Sequence, residues 1–186
     1  MNKFIKKIFT FSHQKKQKPE KIKVCWHFLA LVMNAFYLTD DEIIEFLEID
    51  DRNPDILVEI IHIYVIPYYQ LLSAKSHEKI RNTLAYYLTV DNEKLDWPFS
   101  SFHIPLNDDI AKLFYSLLWK ELYGTDSPEP VNPDDYEEDC STNFIMSIYD
   151  RDPEDVVIHS SPVPEKPSFS EFMERLRKIQ NQKPNE

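Results

Sequence analysis

The sequence predicts a mainly α protein: a compact helical domain of five to seven helices, with at most a small β-hairpin near its C-terminal third. Three observations carry this reading. Apolar residues recur at 3.6-residue spacing along most of the chain. Two S/T-x-x-E patterns stand immediately before such stripes. A single glycine, Gly124, occurs among 186 residues, where an average chain of that length carries about 13. Tight hairpins favour glycine or asparagine for their positive φ angles, so extensive β structure is disfavoured.

Taken in order, Met1, Phe4, Ile5, Ile8 and Phe9 form an apolar face opposite Lys3, Lys6 and Lys7. They predict a short basic amphipathic helix. His13 to Lys23 has no apolar period and reads as linker. Val24 to Leu38 is nearly continuous apolar sequence, too short for the roughly 20 residues that cross a bilayer, and predicts a buried helix. No small-x-small cleavage site follows it, which argues against a secretion signal. Thr39 to Glu42 is a capping box opening a helix to about Ile49. Asn53 followed by Pro54 caps the next helix. Pro67 inside that helix lacks an N–H and crowds the Ile63 carbonyl, so a kink or break is expected there.

Ser76 is expected to open a further helix, ended by the turn residues Asp91 and Asn92. Residues 94–106 read as irregular. Asn107 is expected to cap the clearest stripe, Ile110, Leu113, Phe114, Leu117, Leu118 and Leu122, which Gly124 closes. Asn143–Tyr149 and Val156–Ser160 read as two short strands around a turn. Ser168 to Glu171 is the second capping box, starting a helix that runs to about Gln180. Three regions result: a basic head over 1–23, a helical core over 24–124, and an acidic proline-rich segment with a terminal helix over 125–186.

Charge follows the same division. Net charge is −11 overall, with +7 in residues 1–23, −9 in 24–124, −11 in 125–165 and +2 in 166–186. Such segregation bears on partners rather than on fold.

Several function classes are excluded or weakened. Dinucleotide fingerprints, P-loops, kinase phosphate loops and nucleophile elbows each need more glycines than this chain has. Glu59 and His62 have the i, i+3 spacing of a bundle metal ligand pair, but a di-iron bundle needs a second copy and two more glutamates. A solvated pair is the plainer reading. Cys25 and His27, two apart in a helix, point away from each other, and Cys25 reads as a small buried apolar residue. Two unpaired cysteines fit a reducing compartment and a cytoplasmic location. His13, His77, His103 and His159 form no local site. No metal, cofactor or catalytic residue is expected.

The densest acidic cluster is Asp134, Asp135, Glu137, Glu138 and Asp139, interrupted by Tyr136. A second holds Asp150, Asp152, Glu154 and Asp155, preceded by Tyr149. Solvated loops are the plain reading. The aromatic residues within the charge instead suggest contact with a basic protein partner, because aromatic anchors mark interfaces. Nucleic-acid enzymes present lysine- and arginine-rich grooves, which a compact acidic protein can fill with carboxylates. Small bacterial immunity proteins and antitoxins that neutralise nuclease toxins are similar in size, acidity and glycine poverty; the similarity is one of composition. The expected function is therefore that of a non-catalytic acidic inhibitor of a basic, nuclease-type toxin, without direct nucleic-acid binding. Two alternatives remain: a metal-dependent or hydrolytic enzyme using Glu59, His62 and His103, and a membrane-peripheral adaptor using residues 1–11.

Overall fold

The computed structural model describes residues 20–33, 36, 38–90, 92–101, 106–149 and 166–182. The N-terminal amphipathic segment, the second acidic cluster, the expected strand Val156–Ser160, and His13, His103 and His159 lie outside the described residues.

Eight helices and one two-stranded sheet make up the described fold. The first helix, α1 (His27–Met33), is shorter than the apolar run that predicts it, although Phe36 and Leu38 beyond it are also buried. In α2 (Asp40–Phe46) the capping box forms as expected: Glu42 accepts from the Thr39 backbone N–H at 2.7 Å and from its hydroxyl at 2.8 Å. Asn53 caps α3 by accepting from the Asp55 N–H at 3.1 Å, with Pro54 in the first turn. This helix runs as α over Pro54–Ile60, widens to a π turn over Ile61–Val65, and resumes over Ile66–Tyr69. The π turn ends two residues before Pro67. A missing donor and a crowded carbonyl one turn back favour such a bulge, so the expected disturbance takes this form.

α4 (Ala74–Thr89) begins three residues before the expected start. Ser73, not Ser76, is its cap, accepting from the Ser76 N–H at 3.2 Å. The Ser76 hydroxyl is used elsewhere and donates to the Ile148 carbonyl. Within the stretch expected to be irregular, Trp97–Ser101 forms the short helix α5. Ahead of α6 (Ala111–Tyr123) lies a 3₁₀ turn, Asp108–Ile110, and no side chain caps the α-helix. Asn107 does not cap it because its amide donates to both carboxylate oxygens of Asp51, at 3.0 and 2.8 Å. Gly124 closes α6 in the left-handed region at φ 72°, as the sequence predicts.

The expected hairpin is absent from the described residues. The sheet instead pairs β1 (Ile22–Val24) with β2 (Tyr136–Glu138) in parallel, with Ile22 opposite Tyr136, Lys23 opposite Glu137 and Val24 opposite Glu138. Residues 22 and 23, read as linker, are therefore strand. The other expected strand, Asn143–Tyr149, is the short helix α7 (Thr142–Met146) followed by a 3₁₀ turn. Ser141 caps α7, accepting from the Phe144 N–H at 3.4 Å, and that local hydrogen bond favours helix entry over extended chain. The final helix, α8 (Phe169–Asn181), follows its capping box closely.

One apolar core joins these elements. α3 packs against α6 and α8, and α4 against α1, α6 and β1. Phe172, Met173 and Leu176 of α8 are fully buried in it. Phe172 meets the rings of Phe36, Phe46 and Tyr64 at centroid distances of 6.4, 6.4 and 5.0 Å. No described helix is long and apolar enough to cross a membrane.

Candidate functional site

The sheet brings together two parts of the chain that hold most of its unusual chemistry. β1 is basic (Lys23, with Lys21 just before) and β2 is acidic (Glu137, Glu138, with Asp139 next). In a parallel pair these charges stand side by side, and opposite-charge neighbours across a ladder favour pairing. Lys23 donates to Asp139 at 2.8 Å, and Lys21 to the Tyr136 carbonyl at 3.3 Å. The ladder extends past the strand, with the Asp139 N–H donating to the Val24 carbonyl at 3.0 Å.

The first acidic cluster thus divides in two. Glu138 and Asp139 are tied to the fold. Glu138 accepts from the Tyr87 hydroxyl at 2.5 Å and from Lys94 at 2.6 Å. Burial pushes its carboxyl upward, but donation by Lys94 and Tyr87 outweighs that and holds its pKa below the ordinary value. Lys23 and Ser141 draw the Asp139 carboxyl down to about 2. Asp134, Asp135 and Glu137 are exposed, as is Glu138; what sets Glu138 apart is its bonds to Tyr87 and Lys94. Tyr136, between them, is half-buried, its ring 5.4 Å from that of Tyr86. Burial and then the adjacent Asp135 raise its phenol pKa.

A cysteine stands just beyond each strand, Cys25 directly after β1 and Cys140 two residues after the end of β2. Cys25 and Cys140 form a disulfide, with Cα atoms 5.2 Å apart and a sequence separation of 115. Both expectations for Cys25 therefore need correction. It is not an unpaired apolar residue, and His27 does not point away from it: its Sγ lies 3.3 Å from His27 Nδ1. The rule for positions two apart holds within a helix, whereas Cys25 lies before α1 and His27 is its first residue. The Sγ atoms of Cys25 and Cys140 and a ring nitrogen of His27 all fall within 4.8 Å of one another. Trp26 stacks on His27 at 3.7 Å, and burial lowers the imidazole pKa. With the two thiols joined, cysteine usage no longer supports a reducing compartment or a cytoplasmic location.

Glu59 and His62 do not converge on a shared site. Arg175 of α8 donates to Glu59 at 3.3 Å, whereas His62 Nε2 pairs with Glu121 of α6 at 2.6 Å. His77 Nε2 donates to the Tyr69 carbonyl at 2.7 Å while its ring stacks on Tyr69. Tyr149 closes the 3₁₀ turn after α7.

Sequence reasoning missed the Cys25–His27–Cys140 group because its members come together only through the sheet. A signal was nevertheless present. The runs Lys21-Ile-Lys-Val-Cys25 and Tyr136-Glu-Glu-Asp-Cys140 carry complementary charge, and both end in cysteine.

Comparison of the chain with family models, with curated proteins and with solved structures finds no match. The class defined here is thus a mainly helical fold with one disulfide-closed parallel strand pair.

Proposed function

We propose that this chain is a non-catalytic acidic binding protein that engages the basic face of another protein, of the kind a nuclease-type toxin uses to hold phosphates. The observation that supports this reading is the presentation of Asp134, Asp135 and Glu137. All three are exposed, and their neighbours Glu138 and Asp139 are anchored to Lys94, Tyr87 and Lys23. Carboxylates fixed on an ordered backbone meet a cationic groove without the ordering cost a loose acidic tail incurs. Complementary charge also speeds encounter. In this reading Tyr136 supports the ridge from below through Tyr86.

The test compares the wild-type chain with the triple variant D134N/D135N/E137Q as baits in extract of the native host, loaded at low salt and eluted at high salt. A basic nucleic-acid-cleaving protein that the wild type retains and the variant loses supports the reading. Identical captures by both baits refute it.

A further inference from the structure

The donor group beyond the strand ends has chemistry that the acidic ridge does not use. We propose that, once the disulfide is reduced, Cys25, Cys140 and His27 bind one divalent cation of the zinc class, leaving a fourth coordination position open.

The geometry already approaches such a site. Tetrahedral zinc, with arms of about 2.3 Å to sulfur and about 2.0 Å to nitrogen, places its donors roughly 3.5–3.8 Å apart. Cys25 Sγ and His27 Nδ1 stand at 3.3 Å. The Cα atoms of the two cysteines are 5.2 Å apart, so rotation about the side-chain bonds of half-buried Cys140 can open the sulfur pair to that spacing. The backbone beneath stays in register through the Asp139 N–H to Val24 carbonyl bond.

Donor chemistry selects the ion. Two thiolates and an imidazole suit zinc or its spectroscopic stand-in cobalt(II), whereas magnesium and calcium prefer all-oxygen sites. The nearest acidic side chain in sequence, Asp139, is held by Lys23. A dication also offsets the two thiolate charges, which matters because Cys25 is fully buried and an isolated anion there is costly. Three protein donors leave a position for water or another small ligand.

Binding requires prior reduction. With a phosphine reductant, the S–S bond breaks and phosphorus, oxidised to the phosphine oxide, takes its oxygen from water. Two electrons pass to the sulfurs, and the two protons of that water yield the thiols of Cys25 and Cys140. Metal binding then displaces both thiol protons and forms two metal–sulfur bonds.

The experiment titrates cobalt(II) into the full chain reduced by a water-soluble phosphine, followed by zinc competition. Expected are one cobalt per chain, thiolate-to-metal charge transfer in the near ultraviolet, tetrahedral ligand-field bands in the visible, and bleaching of both by zinc. The unreduced chain should give none of these. Losing a residue that merely orients a ligand costs about 10–100-fold in affinity, so H27A should weaken binding at least tenfold. That variant keeps both cysteines, and circular dichroism of the reduced wild type and the reduced variant checks that both are folded before metal is added. C140S, which leaves only the Cys25 thiolate, should at least halve the charge-transfer band and weaken binding. Failure of the reduced wild type to form a one-to-one complex overturns the proposal. So does an H27A variant that binds cobalt as tightly as wild type.

Discussion

Glu138→Ala should destabilise the fold substantially, whereas the triple variant D134N/D135N/E137Q should not, although all four residues belong to one run of charge. The difference follows from what each side chain touches. Glu138 accepts two hydrogen bonds, from the buried Tyr87 at 2.5 Å and from Lys94 at 2.6 Å. A hydrogen bond to a charged group contributes about 1.5–3 kcal/mol when well buried. The Glu138 side chain is 33 % exposed, so screening lowers the pair to about 2 kcal/mol in total. Asp134, Asp135 and Glu137 are exposed, and relieving like-charge repulsion among them costs little. Urea denaturation followed by far-ultraviolet circular dichroism reads this directly. The midpoint of E138A should fall with an unchanged slope, while that of the triple variant should stay within error of wild type. A triple variant that loses as much stability as E138A would refute the division of the cluster. Acid adds a second readout. Because the folded-state pKa of Glu138 is depressed, its contribution is complete above the ordinary glutamate pKa and fades as pH falls through the lower folded value. The stability difference between wild type and E138A should therefore shrink on acidification.

Three further outcomes are expected. Phe172→Ala should cost about 3–5 kcal/mol in a urea titration, because it empties a fully buried site among the Phe36, Phe46 and Tyr64 rings. Reducing the Cys25–Cys140 bond frees a closed loop spanning 115 residues; the chain-entropy model puts the loss near about 5 kcal/mol, measurable as a lower urea midpoint in reductant. Burial and then nearby Glu42 push the Tyr64 phenol up to about 12, so its neutral form contributes stability that is complete below the ordinary tyrosine pKa and is lost as pH rises from there to about 12. Phenolate absorbance should accordingly show several late-titrating tyrosines, since burial also raises Tyr115 and Tyr123, and Tyr64→Phe should remove one of them.

How much of this was legible depends on the range of the interaction involved. The Thr39 and Ser168 capping boxes, the Asn53-Pro54 entry and the Gly124 exit are local, and each sits where its spacing predicts. Pro67 disturbs its helix for a local reason too. Local signals mislead where a side chain has a distant competitor. Asn107 has the identity of a cap but is drawn to Asp51, and Ser76 is drawn to Ile148 while Ser73 takes the cap. Three-residue strands are too short for alternation to show. Their pairing and the disulfide depend on residues more than 110 positions apart. In the acidic segment, identity alone does not separate the carboxylates that hold the fold from those that face solvent; their partners do.

That separation also bears on the surface the chain presents. Residues 125–165 carry a formal charge of −11, but part of it is compensated at short range by lysines from elsewhere: Lys23 on Asp139, Lys94 on Glu138 and Lys120 on Asp126. The long-range field of the described part of this segment is therefore weaker than its composition implies; beside the exposed Glu129, its densest remaining charge is the ridge of Asp134, Asp135 and Glu137. Screening over about 10 Å at 0.1 M salt then leaves a local patch rather than a uniformly acidic body. A patch confers orientation as well as speed, because an approaching cationic face is drawn toward one side of the molecule. The same pairing that spends Glu138 and Asp139 inside the fold fixes the backbone beneath the other three, and the Cys25–Cys140 bond closes it one residue further on. Whether sulfur is joined to sulfur or both are joined to a metal, the link connects the same two positions, so the ridge keeps its footing in either state.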